Sequence, residues 1–315
     1  MALKEWVTRF YDAPGEDNPS IPESIHLQCD SKDTHNDRNT STSSSAMLKR
    51  KVPVEETHDT LECFQNLKKC KENDQPILTK DELFKRMNLD KSWVSFIEFT
   101  DFDIDTLVKL QAFLEEQRSL EIIYPAPKNV HRWSCLCTPD QVKIIIVGQD
   151  PYPQPHRADG LAFSTGDGSV SPSLRNIYKE LHRSIEGFVI PAHGHLESWA
   201  KQGVLLLNTA FTVVRGIPGS HASIGWKTLS DRVIMQLSAR RSNLVFMLWG
   251  NHAKEKIGLI DKTKHCVLTS SHPSPLAATR CSSFVGNNHF IKANNYIKEH
   301  GKDPINWNTL IDHTS

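Results

Sequence analysis

No run of apolar residues in the 315-residue sequence is long enough to span a bilayer. Its opening stretch, MALKEWVTRF, lacks the charged, apolar and small-residue regions of a secretory signal. A soluble intracellular protein with no membrane partner is therefore expected. The seven cysteines include no CxxC pair. Cys135 and Cys137 form a CxC, Cys63 and Cys70 lie seven apart, and no histidine cluster accompanies either at zinc-ligand spacing. Reduced thiols, with neither a metal nor another cofactor, are the expectation. There is no GxGxxG or Walker-type loop, which counts against an ordinary nucleotide-binding enzyme. The hydrophobic fraction of 38% and mean hydropathy of −0.44 are low for a fully packed chain, so part of it is expected to lie outside any core.

The net charge of zero hides an uneven distribution. Residues 1–90 carry a balance of −4 and the remainder +4, which is compatible with a few phosphate contacts in the C-terminal part. Residues 12–60 are dense in Asp, Asn, Ser, Thr, Pro and His, show no apolar period, and are expected to be disordered. Lys49-Arg50-Lys51 within them reads either as part of a nuclear localisation signal or as a solvated charge run. Near the start, Lys4, Val7, Phe10 and Tyr11 fall at i, i+3, i+6 and i+7. This resembles a sliding-clamp-binding peptide with Lys4 in place of the usual Gln; a short amphipathic turn or a start-site remnant is the alternative. Residues 59–71 and 80–88 have sparse apolar residues at helical spacing, fitting either a partner-binding helix or a lead-in to the folded domain. The expected division is a tail over 1–85 and a catalytic domain over 86–315.

Globular text begins near Trp93. Leu107, Leu110 and Leu114 mark a helix with one buried face, for which Asp103 or Asp105 is the expected N-cap. VKIIIVG (142–148), VLLLN (204–208), LVFMLWG (244–250) and CVLTSSH (266–272) are short continuous apolar runs that read as strands buried on both faces. Helical stretches at 173–185, 196–202, 227–240, 252–260 and 289–300 accompany them, the first opened by Ser171 as cap and Pro172 at the first helical position. Such alternation predicts a three-layer α/β/α fold with a central, mostly parallel four-stranded sheet.

Each run ends in polar, turn-prone residues: Gln149-Asp150-Pro151-Tyr152, Asn208, Gly250-Asn251 and His272-Pro273-Ser274. Parallel strands place these ends on one edge, where ligands of such sheets bind. Singly, each polar residue reads as turn chemistry, a cap or a satisfied core group; four strand ends carrying them together point to a site. Here GQDPY (148–152) and GLAFS (160–164) resemble the water-activating loop and base-stacking segment of family-1 uracil-DNA glycosylases. SPSLRNIYKEL (171–181) is similar to their proline-rich phosphate loop, WAKQGVLLLN (199–208) to the uracil-specificity segment, LWGNHA (248–253) to the Gly-Ser loop and HPSPLAA (272–278) to the DNA-intercalation loop. The likeness runs from about residue 90 to the end.

The resemblance implies hydrolysis of the bond between uracil N1 and deoxyribose C1′, on a base flipped out of single- or double-stranded DNA, by a monomeric enzyme without a metal. It implies Asp150 as the group that orients and deprotonates water, and His272, helped by the backbone N–H of Gln149, as the donor to uracil O2. Phe163 would stack on uracil, Asn208 pair with its polar edge and Tyr152 exclude the thymine methyl group. On the DNA side it implies Pro172, Ser173, Gly250, Asn251, Ser274 and Arg280, with Leu276 as the wedge that enters the stack. The sequence departs from the family pattern at Pro153 and Asp159, where histidines are common, at Asn251, where Ser is usual, at Thr279, and in the longer CSSFVG stretch (281–286). A catalytically idle DNA-binding scaffold is countered by the joint presence of Asp150, Asn208 and His272, and a glycosylase of broader specificity by Tyr152 and Asn208. The tail and substrate suggest a nuclear enzyme, with mitochondrial residence or a viral protein acting in the host nucleus as alternatives. Deleting residues 1–85 from a tagged chain should then abolish nuclear accumulation; unchanged localisation would rule out a targeting role for the tail.

Overall fold

The computed structural model describes residues 79–278 and 283–310. The clamp-like peptide at Lys4, Val7, Phe10 and Tyr11, the Lys49-Arg50-Lys51 cluster, residues 59–71, Thr279 and Arg280 lie outside them. Six strands occur among the described residues: β1 (Ile123–Tyr124), β2 (Ile144–Gly148), β3 (Val204–Asn208), β4 (Val213–Val214), β5 (Val245–Trp249) and β6 (Cys266–Ser270). The main sheet has the order β3-β2-β5-β6 and all its pairs are parallel. Alternate side chains of a strand point to opposite faces, yet every residue of β2, β3 and β5 is buried. Helices therefore cover both faces, which gives the three-layer α/β/α arrangement. β6 was expected to be equally buried; it is the edge strand, and its residues are half-buried or exposed. A separate two-residue pair, β1 with β4, is antiparallel.

The topology decides where a ligand can sit. From β2 the chain passes to β3 on one side, then to β5 on the other. The strand order reverses at β2, so the connections leave in opposite directions and a crevice opens beyond its carboxyl end.

Local chemistry explains the helix boundaries. Thr79 and Glu82 form a capping box that starts helix Lys80–Met87, and Asn88, in a left-handed conformation (φ 55°), ends it. This helix buries Leu83, Phe84 and Met87 and packs on helix Asp101–Leu120. The stretch at 80–88 is thus part of the folded body, which begins before the expected boundary at residue 86. A deletion at 85 would remove core side chains, so the localisation test needs its cut before Thr79. Helix Asp101–Leu120 is capped by Thr100, not by Asp103 or Asp105. Asp103 completes the capping box instead and forms a 2.8 Å ion pair with Arg232 of helix Trp226–Arg240. Both partners are buried, so removing either one should cost about 3–5 kcal/mol.

One core histidine stands out. His131 is 1% exposed among Trp133, Phe211 and Trp226, and neither ring nitrogen has a hydrogen-bond partner among the described residues. Burial pushes its imidazole down from 6.5 to about 3. Between those values the unfolded chain binds a proton that the folded chain refuses. The stability tied to this residue is present above about pH 6.5 and is lost as pH falls below it. His131→Phe should raise the Tm, and by more at pH 5 than at pH 8; an equal gain at both would mean that His131 is not the group resisting protonation.

Candidate active site

The edge at the carboxyl ends of the strands is built around a missing side chain. The register sets Gly148 beside Asn208. A Cβ on Gly148 would lie 2.3 Å from Asn208 Oδ1 and 2.8 Å from the Ala162 Cβ. Only hydrogen fits, so the Asn208 side chain folds over the end of β2, where it is buried. The next peptide is held as firmly. The Gln149 carbonyl accepts from Thr209 N (3.1 Å), Ala210 N (2.9 Å) and Thr209 Oγ1 (3.0 Å). Thr209 Oγ1 also lies 2.6 Å from His252 Nε2. Because that hydroxyl proton is given to Gln149, the imidazole is the donor in the second contact.

Asp150 is half-buried, and its Oδ2 accepts from Gly219 N at 2.7 Å. Burial raises its pKa above the ordinary carboxylate value, while the Gly219 bond and the nearby His252 oppose the rise. Pro153, where a histidine is common, is buried, and its carbonyl accepts from Gly216 N at 2.9 Å. The 216–219 turn is therefore tied to both ends of the Asp150–Pro153 segment. The Tyr152 hydroxyl shares a 2.7 Å hydrogen bond with Ser171 Oγ, and that same oxygen caps helix Pro172–Ser184 by accepting from Leu174 N.

Phe163 adopts φ 65°, a left-handed conformation that costs a non-glycine residue energy. It packs 5.7 Å from the Trp249 ring and 5.9 Å from the His272 ring. Its segment is pinned by Asp159, which accepts from Leu161 N (3.1 Å) and Ser164 Oγ (2.6 Å) and pairs with Arg132 at 3.1 Å. Arg132 also pairs with Glu197. At this position an anchored carboxylate stands in place of the common histidine.

His272 Nδ1 accepts from Ser274 N at 3.0 Å. A backbone N–H can only donate, so the neutral ring carries its proton on Nε2. Burial, and secondarily His252, hold its pKa below the ordinary value. Gly250 (φ 82°) allows this approach, since a Cβ there would lie 2.9 Å from the His272 Cβ. A cavity of about 180 Å³ opens here, lined by Gly148, Gln149, Gly250, Asn251, His252 and His272. Of the residues expected to meet DNA, Pro172 and Asn251 are exposed, Ser173 and Ser274 are half-buried, and Leu276 is 75% exposed on the short helix Pro275–Ala278.

The structure thus brings Gln149, Asp150, Tyr152, Phe163, Asn208, Gly250 and His272 to one strand edge. Sequence reasoning missed Thr209, His252 and Gly219. The first two adjoin residues already singled out, in NTA and GNHA; Gly219 acts through its backbone and leaves no motif. Gly148→Ala should displace the Asn208 amide and lower the Tm, at an overpacking cost of about 1–3 kcal/mol. An unmoved Asn208 side-chain amide resonance together with an unchanged Tm would show that the strand end tolerates the methyl group.

The sequence profile of the Uracil DNA glycosylase superfamily matches residues 136–298. The chain is 49% identical over 236 residues to the uracil-DNA glycosylase of human herpesvirus 7 (strain JI), covering 75% of this chain and 92% of that protein. To the uracil-DNA glycosylase of human cytomegalovirus (strain Merlin) it is 50% identical over 237 residues, covering 75% and 94%. To that of Mannheimia succiniciproducens it is 56% identical over 186 residues, covering 59% and 82%. The crystal structure of mimivirus uracil-DNA glycosylase superposes with a TM-score of 0.61 at 31% identity, over 78% of this chain and 92% of that one. With about half of the aligned residues identical across nearly the full length of two relatives, the chain belongs to the uracil-DNA glycosylase superfamily.

Proposed function

We propose that the protein removes uracil from DNA by hydrolysing the N-glycosidic bond, releasing free uracil and leaving an abasic site for repair. The observation that carries the reading is the Ser274-to-His272 hydrogen bond: it leaves His272 one proton, on Nε2, at the same strand edge as Asp150 and Asn208.

In this reaction the C1′–N1 bond breaks with its electron pair on uracil, and the sugar becomes oxocarbenium-like. The uracil charge spreads to O2, where the Nε2–H of His272 and the backbone N–H of Gln149 donate to it. A ring that stays neutral stabilises the anion without delivering a proton. Asp150 holds a water beneath C1′, takes its proton as the new C1′–O bond forms, and offsets the cationic sugar. Its tie to Gly219 fixes the carboxylate for that task.

Base choice follows from the same residues. The Asn208 amide accepts from uracil N3–H and donates to O4, whereas cytosine presents the reverse pattern. Tyr152 blocks the thymine methyl group, held in place by Ser171. Phe163 supplies the stacking face. Extrusion of the base from a duplex costs a few kcal/mol. Leu276 fills the vacated space, while Pro172, Ser173, Gly250, Asn251, Ser274 and Arg280 grip the flanking phosphates without reading sequence. The tail reading extends the proposal to a monomeric nuclear enzyme that docks on a sliding clamp through Lys4, Val7, Phe10 and Tyr11.

A labelled oligonucleotide with one uracil, beside thymine and cytosine controls, tests the scheme. Uracil alone should be released by the wild type. His272→Leu should slow release about 10²–10³-fold, and Asp150→Asn about 10²–10⁴-fold. Because burial raises the Asp150 pKa and lowers that of His272, the loss of activity on acidification should track Asp150 gaining a proton, above pH 3.8. That acid limb should be absent from the residual activity of Asp150→Asn. A folded wild type that binds DNA and releases nothing, or variants as fast as wild type, would overturn the proposal.

A further inference from the structure

Helix Pro172–Ser184 carries a charged group that the scheme above does not use. Glu180 is 0% exposed in the middle of the helix. A buried carboxylate is costly unless its hydrogen bonds are satisfied. This one accepts from Gly286 N (2.6 Å) and Asn288 N (2.8 Å), and from Arg183 Nε (2.9 Å) and Nη2 (2.8 Å). Although burial alone would raise its pKa, these four bonds hold it below the ordinary carboxylate value, so it binds as an anion.

Gly286 and Asn288 close the segment that follows Leu276. The opening of that segment rests on the same helix: Asn176 Nδ2 donates to the Pro273 carbonyl at 2.8 Å, and the short helix Pro275–Ala278 packs against Pro172–Ser184. The start of the helix carries Pro172 and Ser173, and its cap Ser171 holds Tyr152. One rigid rod of 13 residues, without proline or glycine beyond its first position, thus joins the phosphate rim, the pocket wall and both ends of the Leu276 segment.

We propose that Glu180, oriented by Arg183, is a positioning residue for duplex opening: it anchors the Leu276 segment to the helix that grips the phosphate, so that the wedge holds against a base stack pressing to close. The inference rests on the reading of Leu276 as the wedge. Insertion works against an unstacking cost of a few kcal/mol, and a segment tied at one end only would yield to that load. Two backbone N–H groups on a buried carboxylate supply the second tie. A single-stranded uracil has no partner to leave and far less stacking to overcome. Glu180 therefore acts on opening and leaves bond cleavage unchanged.

The test compares single-turnover release from one labelled uracil strand, alone and annealed, for wild type, E180Q, R183A and L276A. E180Q places an amide N–H against a backbone N–H. It should lose about tenfold on the duplex, the scale expected when hydrogen bonds to a charged group are broken, and stay near the wild-type rate on the single strand. L276A should lose more on the duplex than on the single strand, and adding E180Q to it should cost little more on the duplex, because both act on one step. Equal losses of E180Q on both substrates, or no loss on either, overturn the role of Glu180. A duplex rate spared by L276A overturns the wedge reading itself, and a wild type that releases no uracil overturns the proposed function. Should E180Q melt below the assay temperature, R183A decides. Arg183 is a surface residue, so its loss should give a smaller but still duplex-selective defect, and a uniform or absent effect sinks the proposal.

Discussion

The site depends on the pairing of Gly148 with Asn208 across β2 and β3. A parallel ladder fixes register along its whole length, and a slip by one residue would turn every side chain to the other face. With register fixed, the absent Cβ of Gly148 lets the Asn208 amide fold over the strand end. Thr209 and Ala210 then meet the Gln149 carbonyl, which orients the peptide leading into Asp150. The same sheet brings Trp249 and Ser270 level on the other side of β2, so that Gly250 and His272 arrive at the crevice from the next strands. A polar pocket is thereby hung from the ends of buried apolar strands, and its geometry is inherited from backbone pairing.

The electrostatics depend largely on main-chain groups. Ser274 N fixes the proton of His272 on one nitrogen, Gly219 N holds Asp150, and the Gln149 carbonyl is fixed through Thr209 to His252. Burial moves Asp150 and His272 in opposite directions on the pH scale, and in both cases it favours the neutral form. For His272 this agrees with a role as neutral hydrogen-bond donor. For Asp150 it opposes the charged form that the proposed chemistry uses, and the Gly219 N–H and the nearby His252 limit the rise. Preorganised backbone donors suit such a task because they need no rearrangement as charge develops.

The central strands were legible in the sequence because burial on both faces leaves continuous apolar runs, and their ends were legible because polar residues follow at once. β6 was read as equally buried because its sequence looks like the others; only its place at the sheet edge makes it different. β1 and β4 are too short to show a period, and their pairing joins residues 123–124 with 213–214. The cap of helix Asp101–Leu120 was misplaced by three residues or more because Asp103, a good cap by composition, serves the capping box and the Arg232 pair instead. Gly219 was invisible: it has no side chain and stands 69 positions from the carboxylate that it holds. Glu180 was invisible for another reason. Within KELHR it reads as one more solvated charge, and only the fold reveals that it is wholly enclosed.

On the proposed reading, the tether of Tyr152 to Ser171 bears on fidelity. The side chain assigned to turning thymine away leans on an oxygen that also starts a 13-residue helix. Its resistance to being pushed aside is then a mechanical property of the helix cap and not of the pocket alone. A defect at that cap would leave the machinery for cutting intact while widening what is admitted. Its cost to a cell would appear as thymines turned into abasic lesions, so the same hydrogen bond would mark the difference between a repair activity and a mutagenic one.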